Sequence, residues 1–236
     1  MSSVTINKKQ TSTAGAGRKP LLSGFQWVQL AMHVGAWVPA VVLVVDYFTN
    51  NLTINPIQYA TQQLGLIAMF MVVAALAVTP LITLTGITDL QKLSRPLGLY
   101  AFMYTALHVL MYVGVDYEFA FDLLWLDAQG KNYMLSGLIS FVILLVLAAT
   151  SFKWWMKHLR KNWKRLHRLV YIAGALAVLH YGLAVKGDLF RLQGDIVFPA
   201  LYTLLLFFLF GLRIPPIRRA VIHARQRVVT WTLKSS

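Results

Sequence analysis

The stretch Leu64-Gly65-Leu66-Ile67-Ala68-Met69-Phe70-Met71-Val72-Val73-Ala74-Ala75-Leu76-Ala77-Val78-Thr79-Pro80-Leu81-Ile82-Thr83-Leu84 runs for 21 residues without a charge. About 20 apolar residues in a helix cross a hydrocarbon core of ~30 Å. Lipid offers no partner to an open sheet edge, so such a run must be a helix. Five further runs have the same character: Phe25–Val45, Leu97–Val115, Tyr133–Phe152, Leu169–Val185 and Ile196–Leu212. None alternates with period two, as a membrane β-barrel would require. The reading is an all-α integral membrane protein, a six-transmembrane-helix bundle. The third and fifth runs are short and are expected to extend into the interface.

Composition agrees. Of 236 residues, 58% are apolar and 13% charged, against roughly 25% charged in soluble chains. Mean hydropathy is +0.61. The net charge of +14 is explained by topology. Nineteen of the 22 Lys and Arg residues fall in the N-terminal tail, the second and fourth loops and the C-terminal tail. Only Lys131, Lys186 and Arg191 fall on the other side. Basic residues sort to the cytoplasm, so both termini are expected there. Nucleic-acid binding is not needed to explain the charge. The expected organisation is a flexible cytoplasmic tail at 1–24, a transmembrane domain at 25–213 and a basic cytoplasmic tail at 214–236. A cleaved signal peptide is not expected, nor is a soluble nucleotide-binding domain. No internal repeat is apparent, so inverted-repeat transporter folds gain no support.

There is no cysteine, which excludes thiolate metal sites and iron–sulfur clusters. Chemistry in the bilayer therefore falls to histidine. His158 and His223 lie in basic stretches and read as solvated residues. His108 follows Leu97 by eleven residues, and His180 follows Leu169 by eleven. Both runs leave the cytoplasm, so at ~1.5 Å per residue both imidazoles reach the same depth, roughly 16 Å up. Two neutral imidazoles at one depth on two helices can take opposite faces of one haem iron. His167 lies thirteen residues before His180, at the cytoplasmic edge of the same helix and about 140° around it. It reads either as an interfacial residue or as part of a second site. His33, in the first run, reads as a ligand, a propionate partner or a helix contact. No carboxylate pair, H-E-x-x-H or Ser-His-Asp set lies inside the membrane.

Several segments carry a resemblance. They are Arg95-Pro96-Leu97-Gly98-Leu99-Tyr100, Leu107-His108, Trp163-Lys164-Arg165-Leu166-His167-Arg168-Leu169-Val170-Tyr171 and Leu179-His180-Tyr181, with Thr79-Pro80-Leu81 and Thr150-Ser151 at helix ends. In this order they resemble the MsrQ (YedZ) family of the ferric-reductase-like transmembrane group, over about residues 25–213. The resemblance implies a b-type haem protein, with one or two haems, in the bacterial inner membrane. It implies electron delivery to a periplasmic MsrP-like molybdoenzyme that repairs methionine sulfoxide. The implied donor is the quinone pool or a cytosolic flavin reductase, and FMN is an implied cofactor. The chain would then be an electron-transfer subunit, not the catalytic one. The implied haem ligands fall on His108, His180 and His167. Arg95 falls where a propionate or second-haem partner is expected, and His33 matches less closely.

The third loop, Asp116–Lys131, joins acids to Phe119, Phe121, Leu124 and Trp125. It reads either as a partner-docking surface or as an interfacial helix. The basic fourth loop, Lys153–Arg168, reads as topology and attraction to anionic membrane lipid, with a flavin-phosphate site as the other reading. Competing functions are a haem anchor for another oxidoreductase and a non-redox six-helix transporter.

Overall fold

The computed structural model describes residues 24–185, 187–188 and 193–235. The expected flexible tail lies outside them, as do Lys186 and Arg191, which entered the orientation count. The described residues form helices α1 (Gly24–Phe48), α2 (Pro56–Thr85), α3 (Gln91–Leu110), α4 (Phe121–Gln129), α5 (Asn132–Ala149), α6 (Lys153–Leu159), α7 (Lys161–Leu166), α8 (Val170–Ala184), α9 (Val197–Gly211) and α10 (Pro215–Ser235). One exception to the helical plan is a two-residue antiparallel pairing, Gly187–Asp188 with Gln193–Gly194.

Five segments are long and apolar enough to cross a membrane: Gly24–Phe48, Pro56–Thr85, Thr88–Asp116, Asn132–Ala149 and Lys161–Ala184. The third and fifth extend beyond their apolar runs, as expected. The sixth expected crossing falls on a bent pair of helices. Helix α9 has only 15 residues, and the chain then bends by 80° into α10. The expected basic tail is therefore helical from Pro215. Arg225 of α10 donates to the carbonyls of Ile82 (3.2 Å) and Thr83 (3.0 Å). These lie in the last turn of α2, where a helix leaves carbonyls unpaired and favours a cation.

Helix α2 is the hub. Asn55 caps its start by accepting the Gln58 N–H at 3.1 Å. Gly86, at φ +81°, closes its end with its N–H on Ile82 O. Its core is continuous: Leu64, Ala68, Met69, Met71, Val72, Val73 and Leu76 are all buried. A helix apolar and buried on most sides belongs at the centre of a bundle. Helix α1 is the opposite case, with Ala36 its one buried residue.

Helix α2 packs along α3, and α5 along α8. These two pairs repeat one another at a shift of 72 positions. Gly65-Leu66-Ile67 in α2 recurs as Gly137-Leu138-Ile139 in α5, and Leu107-His108 in α3 as Leu179-His180 in α8. Ala101 and Ala173, also equivalent, are both fully buried. The expectation of no internal repeat is thus corrected. Few other positions retain identity, which hides the repeat in the sequence.

Pro80 lies inside α2. Lacking an N–H, it frees the carbonyl four residues earlier, that of Leu76. Arg213 fills the gap, its Nη2 donating to Leu76 O at 2.6 Å. Its Nη1 donates to the Tyr171 hydroxyl, and the guanidinium lies 4.7 Å from that ring's centroid. An unpaired buried carbonyl costs about 1–3 kcal/mol. Arg213→Met is therefore expected to lower thermal stability in detergent by about that amount. In a Pro80→Ala background, the backbone N–H restored at that position reclaims Leu76 O. The loss should then shrink by more than half; equal losses in both backgrounds would refute the pairing.

On the opposite side, α3 runs into a π-helical turn, Met111–Asp116. Tyr112 in that turn donates to Asp127 Oδ2 of α4 at 2.6 Å, and Lys131 Nζ reaches the same oxygen at 2.5 Å. Hydrogen bonds from Lys131 and then Tyr112 hold the Asp127 carboxyl down at about 2. A depressed carboxylate stabilises the fold above its unfolded value of about 3.9, and the contribution fades as pH falls toward the folded value. Amide exchange in α4 should thus stay slow, relative to intrinsic rates, from pH 7 to about pH 4.5. Asp127→Asn should speed it throughout that range.

Candidate haem site

His108 on α3 and His180 on α8 face each other. Their ring centroids are 6.2 Å apart and the ring planes 83° apart. Each ring is pinned from behind in the same way. His108 Nδ1 lies 2.7 Å from Thr61 O of α2. His180 Nδ1 lies 2.9 Å from Tyr133 O of α5. Both contacts span 47 residues. A carbonyl can only accept, so both Nδ1 atoms carry a proton, and in the neutral ring the lone pair is then on Nε2. That is the tautomer that ligates a metal, with its orientation set by the second hydrogen bond.

The glycines explain how an imidazole reaches a helix carbonyl. Gly65 follows Thr61 by one turn, and Gly137 follows Tyr133 by one turn. A Cβ built on Gly65 would stand 3.0 Å from His108 Nδ1, and one on Gly137 only 2.6 Å from His180 Nδ1. Each ring therefore occupies the space where a side chain would be. Sequence reasoning missed both glycines. Their signal was the repeated Gly-Leu-Ile, each four residues after the carbonyl that holds the ring.

The donor set fits haem. Among the described residues there is no group of three or more His, Cys, Asp or Glu that could hold a metal ion. Haem needs no such group, since its macrocycle supplies the equatorial donors and the protein the axial ones. A metal–imidazole bond is about 2 Å and a ring nitrogen lies roughly 1.2 Å from its centroid, so two axial imidazoles on one iron place their centroids roughly 6.4 Å apart. The 6.2 Å between the two ring centroids is close to that separation.

The other expected site residues are elsewhere. His167 packs on Trp163 with ring centroids 4.0 Å apart, and its Nε2 lies 3.3 Å from Thr150 Oγ1. No second imidazole faces it among the described residues. Arg95 donates to the carbonyl of Ser151, the residue after that threonine. In the repeat, Arg95 is the position equivalent to His167. His33 joins neither group: its Nδ1 lies 2.9 Å from the Tyr100 hydroxyl.

Residues 61–178 match the family model described as "Ferric reductase like transmembrane component". The matched segment begins at the carbonyl that holds His108 and ends two residues before His180. With the all-helical bundle, this defines a ferric-reductase-like, multi-pass membrane protein. A protein of Rhodospirillum rubrum is 36% identical over 75% of this chain and 85% of its own length. One of Caulobacter vibrioides is 38% identical over 60% and 68%, and one of Xanthomonas campestris pv. campestris 33% over 78% and 84%. All three are named "Protein-methionine-sulfoxide reductase heme-binding subunit MsrQ". The chain belongs to the MsrQ family, and the bacterial inner membrane is its setting. No solved structure matches it.

Gly137→Ala should displace His180 and lower haem per chain by more than half. Gly65→Ala, whose contact is looser, should lower it less. Haem per chain in purified protein, by pyridine haemochrome, decides the order; full retention by Gly137→Ala would refute the role of the glycine.

Proposed function

We propose that this chain is the b-type haem membrane subunit that carries electrons outward to a protein-methionine-sulfoxide reductase. The observation that carries the reading is the His108–His180 pair, two imidazoles pinned alike and facing one another, which would hold the haem. The relatives' names supply the partner system. His108 and His180 would hold the haem, whose chemistry would be one-electron transfer. The chain's own residues orient the ligands, through Thr61 O and Tyr133 O, and exclude water with the apolar packing of α2, α3, α5 and α8.

Both termini are placed in the cytoplasm, with α9 as the sixth crossing, on the distribution of Lys and Arg. His108 is then 17 residues into α3, roughly 25 Å from its inner end, which puts the pair toward the outer face. The outer partner is an MsrP-like molybdoenzyme, for which α4 offers exposed Phe121, Trp125 and Leu126 beside Asp122. The donor is a separate molecule, a membrane quinol or a cytosolic flavin reductase; FMN is the further cofactor that the family resemblance implies, and the basic segment Lys153–Arg168 is read first as topology and attraction to anionic lipid. His167 and Arg95 are assigned to the inner side, as partners of a second haem or of the donor. The domain boundaries at 24 and 213 are part of this proposal.

A dithionite-reduced minus oxidised spectrum of purified protein tests it. Sharp b-type bands are expected. His108→Ala and His180→Ala should each remove most of the outer-site signal. His167→Ala should leave that signal, and any haem it loses counts a second site. A flat spectrum from folded protein supplied with haem overturns the reading.

A further inference from the structure

His33 poses a problem that the haem site does not solve. It lies nine residues into α1, and Tyr100 nine residues into α3. Each is about 13 Å from the start of its helix. The two side chains meet at 2.9 Å, with ring centroids 5.7 Å apart. Yet His33 is exposed on the outside of the bundle, where the solvent is lipid. Around it α1 presents a shallow groove of Val34, Trp37, Val38, Val41 and Val42. Trp37 also turns its ring edge-on to Tyr100, at 6.4 Å. A polar side chain facing hydrocarbon is costly and marks function unless it has a partner there. The Tyr100 hydroxyl engages Nδ1, and Nε2 has no hydrogen bond among the described residues.

Whatever meets Nε2 must come from the bilayer, because the groove opens sideways. It must be largely apolar, because the rest of the groove is. It must also carry a hydrogen-bonding group about 13 Å in from the start of the helix. The pair has a further property. If the Tyr100 hydroxyl donates to Nδ1, Nε2–H is a donor. If Nδ1–H donates to the Tyr100 oxygen, Nε2 is an acceptor. One pair thus serves a ligand that presents a carbonyl in one state and a hydroxyl in another. Quinone and quinol differ in that way. Along α3, Tyr100, Tyr104 and His108 follow at intervals of four residues. The pair is therefore about 12 Å from the haem ligand, measured along the helix.

We propose that the His33–Tyr100 pair binds the head group of a lipid-soluble quinone, with the isoprenoid tail along Val34, Val38 and Val41. This rests on the electron-carrier reading for its purpose, and on the His33–Tyr100 geometry for its place. The occupant is a quinone and not a phospholipid, whose acyl region at this depth carries no hydrogen-bonding group.

The test is photolabelling of the full chain in phospholipid nanodiscs with a short-chain azido-ubiquinone, with and without excess unlabelled ubiquinone. Labelled peptides are mapped by mass spectrometry. The wild type is compared with His33→Leu and Tyr100→Phe, and haem per chain and the dithionite spectrum are recorded on the same samples. Competed labelling on α1 around residues 33–41, or on α3 around 97–104, is expected. It should fall about fivefold to tenfold in His33→Leu, the loss of one hydrogen bond, and less in Tyr100→Phe, with haem per chain unchanged. Labelling elsewhere, labelling that excess quinone does not compete (simple partitioning into lipid), or labelling indifferent to both variants overturns the proposal. A wild type with competed labelling at this site but no haem would support the site and sink the electron-carrier reading instead.

Discussion

Hydrocarbon gives a polar group nothing to bond to, and this constraint orders the structure. Polar side chains set inside the bundle are matched to particular backbone carbonyls. His108 takes Thr61 O and His180 takes Tyr133 O. Arg213 takes the carbonyl that Pro80 releases. Tyr104, fully buried, donates to Ala36 O at 2.6 Å, and Ser140 to Ala173 O at 3.0 Å. Each of these bonds reaches a carbonyl on another helix, so meeting the needs of the polar groups also sets which helices adjoin and in what register.

The two helix pairs show how a pair of facing imidazoles follows from that rule. A histidine can reach the carbonyl of a neighbouring helix only where a side chain is missing one turn further on. Gly65 and Gly137 provide that absence twice, 72 positions apart. The imidazoles end up alike in tautomer and in attachment. Two equivalent imidazoles on two equivalent helices then confront each other across the bundle, the symmetric arrangement on which the proposed haem site rests.

Toward the other end of the same helices the equivalence fails. Where the α8 segment carries His167, α3 carries Arg95, and the two engage Thr150 and Ser151 at the end of α5. A guanidinium cannot give a metal a lone pair. This level therefore lacks the symmetric imidazole pair of the other one: a guanidinium and a single imidazole stand side by side at the end of α5.

Sequence by itself determined the properties that run along a helix axis. A charge-free run of 21 residues makes a crossing, and a rise of about 1.5 Å per residue puts His108 and His180 at one depth. Axial position is local arithmetic and needs no knowledge of neighbours. The sequence also indicated the family, through the order of its arginine and histidine motifs. Only the tertiary structure decided what lies around each helix: that His33 faces lipid and meets Tyr100, that His167 stacks on Trp163, and that α9 is short and turns into a docked α10. It also revealed Gly65 and Gly137 as the places where imidazoles enter. Azimuth and partner depend on how helices pack against one another, and packing is settled by long-range pairings such as Arg213 with Leu76 O, which no local window contains.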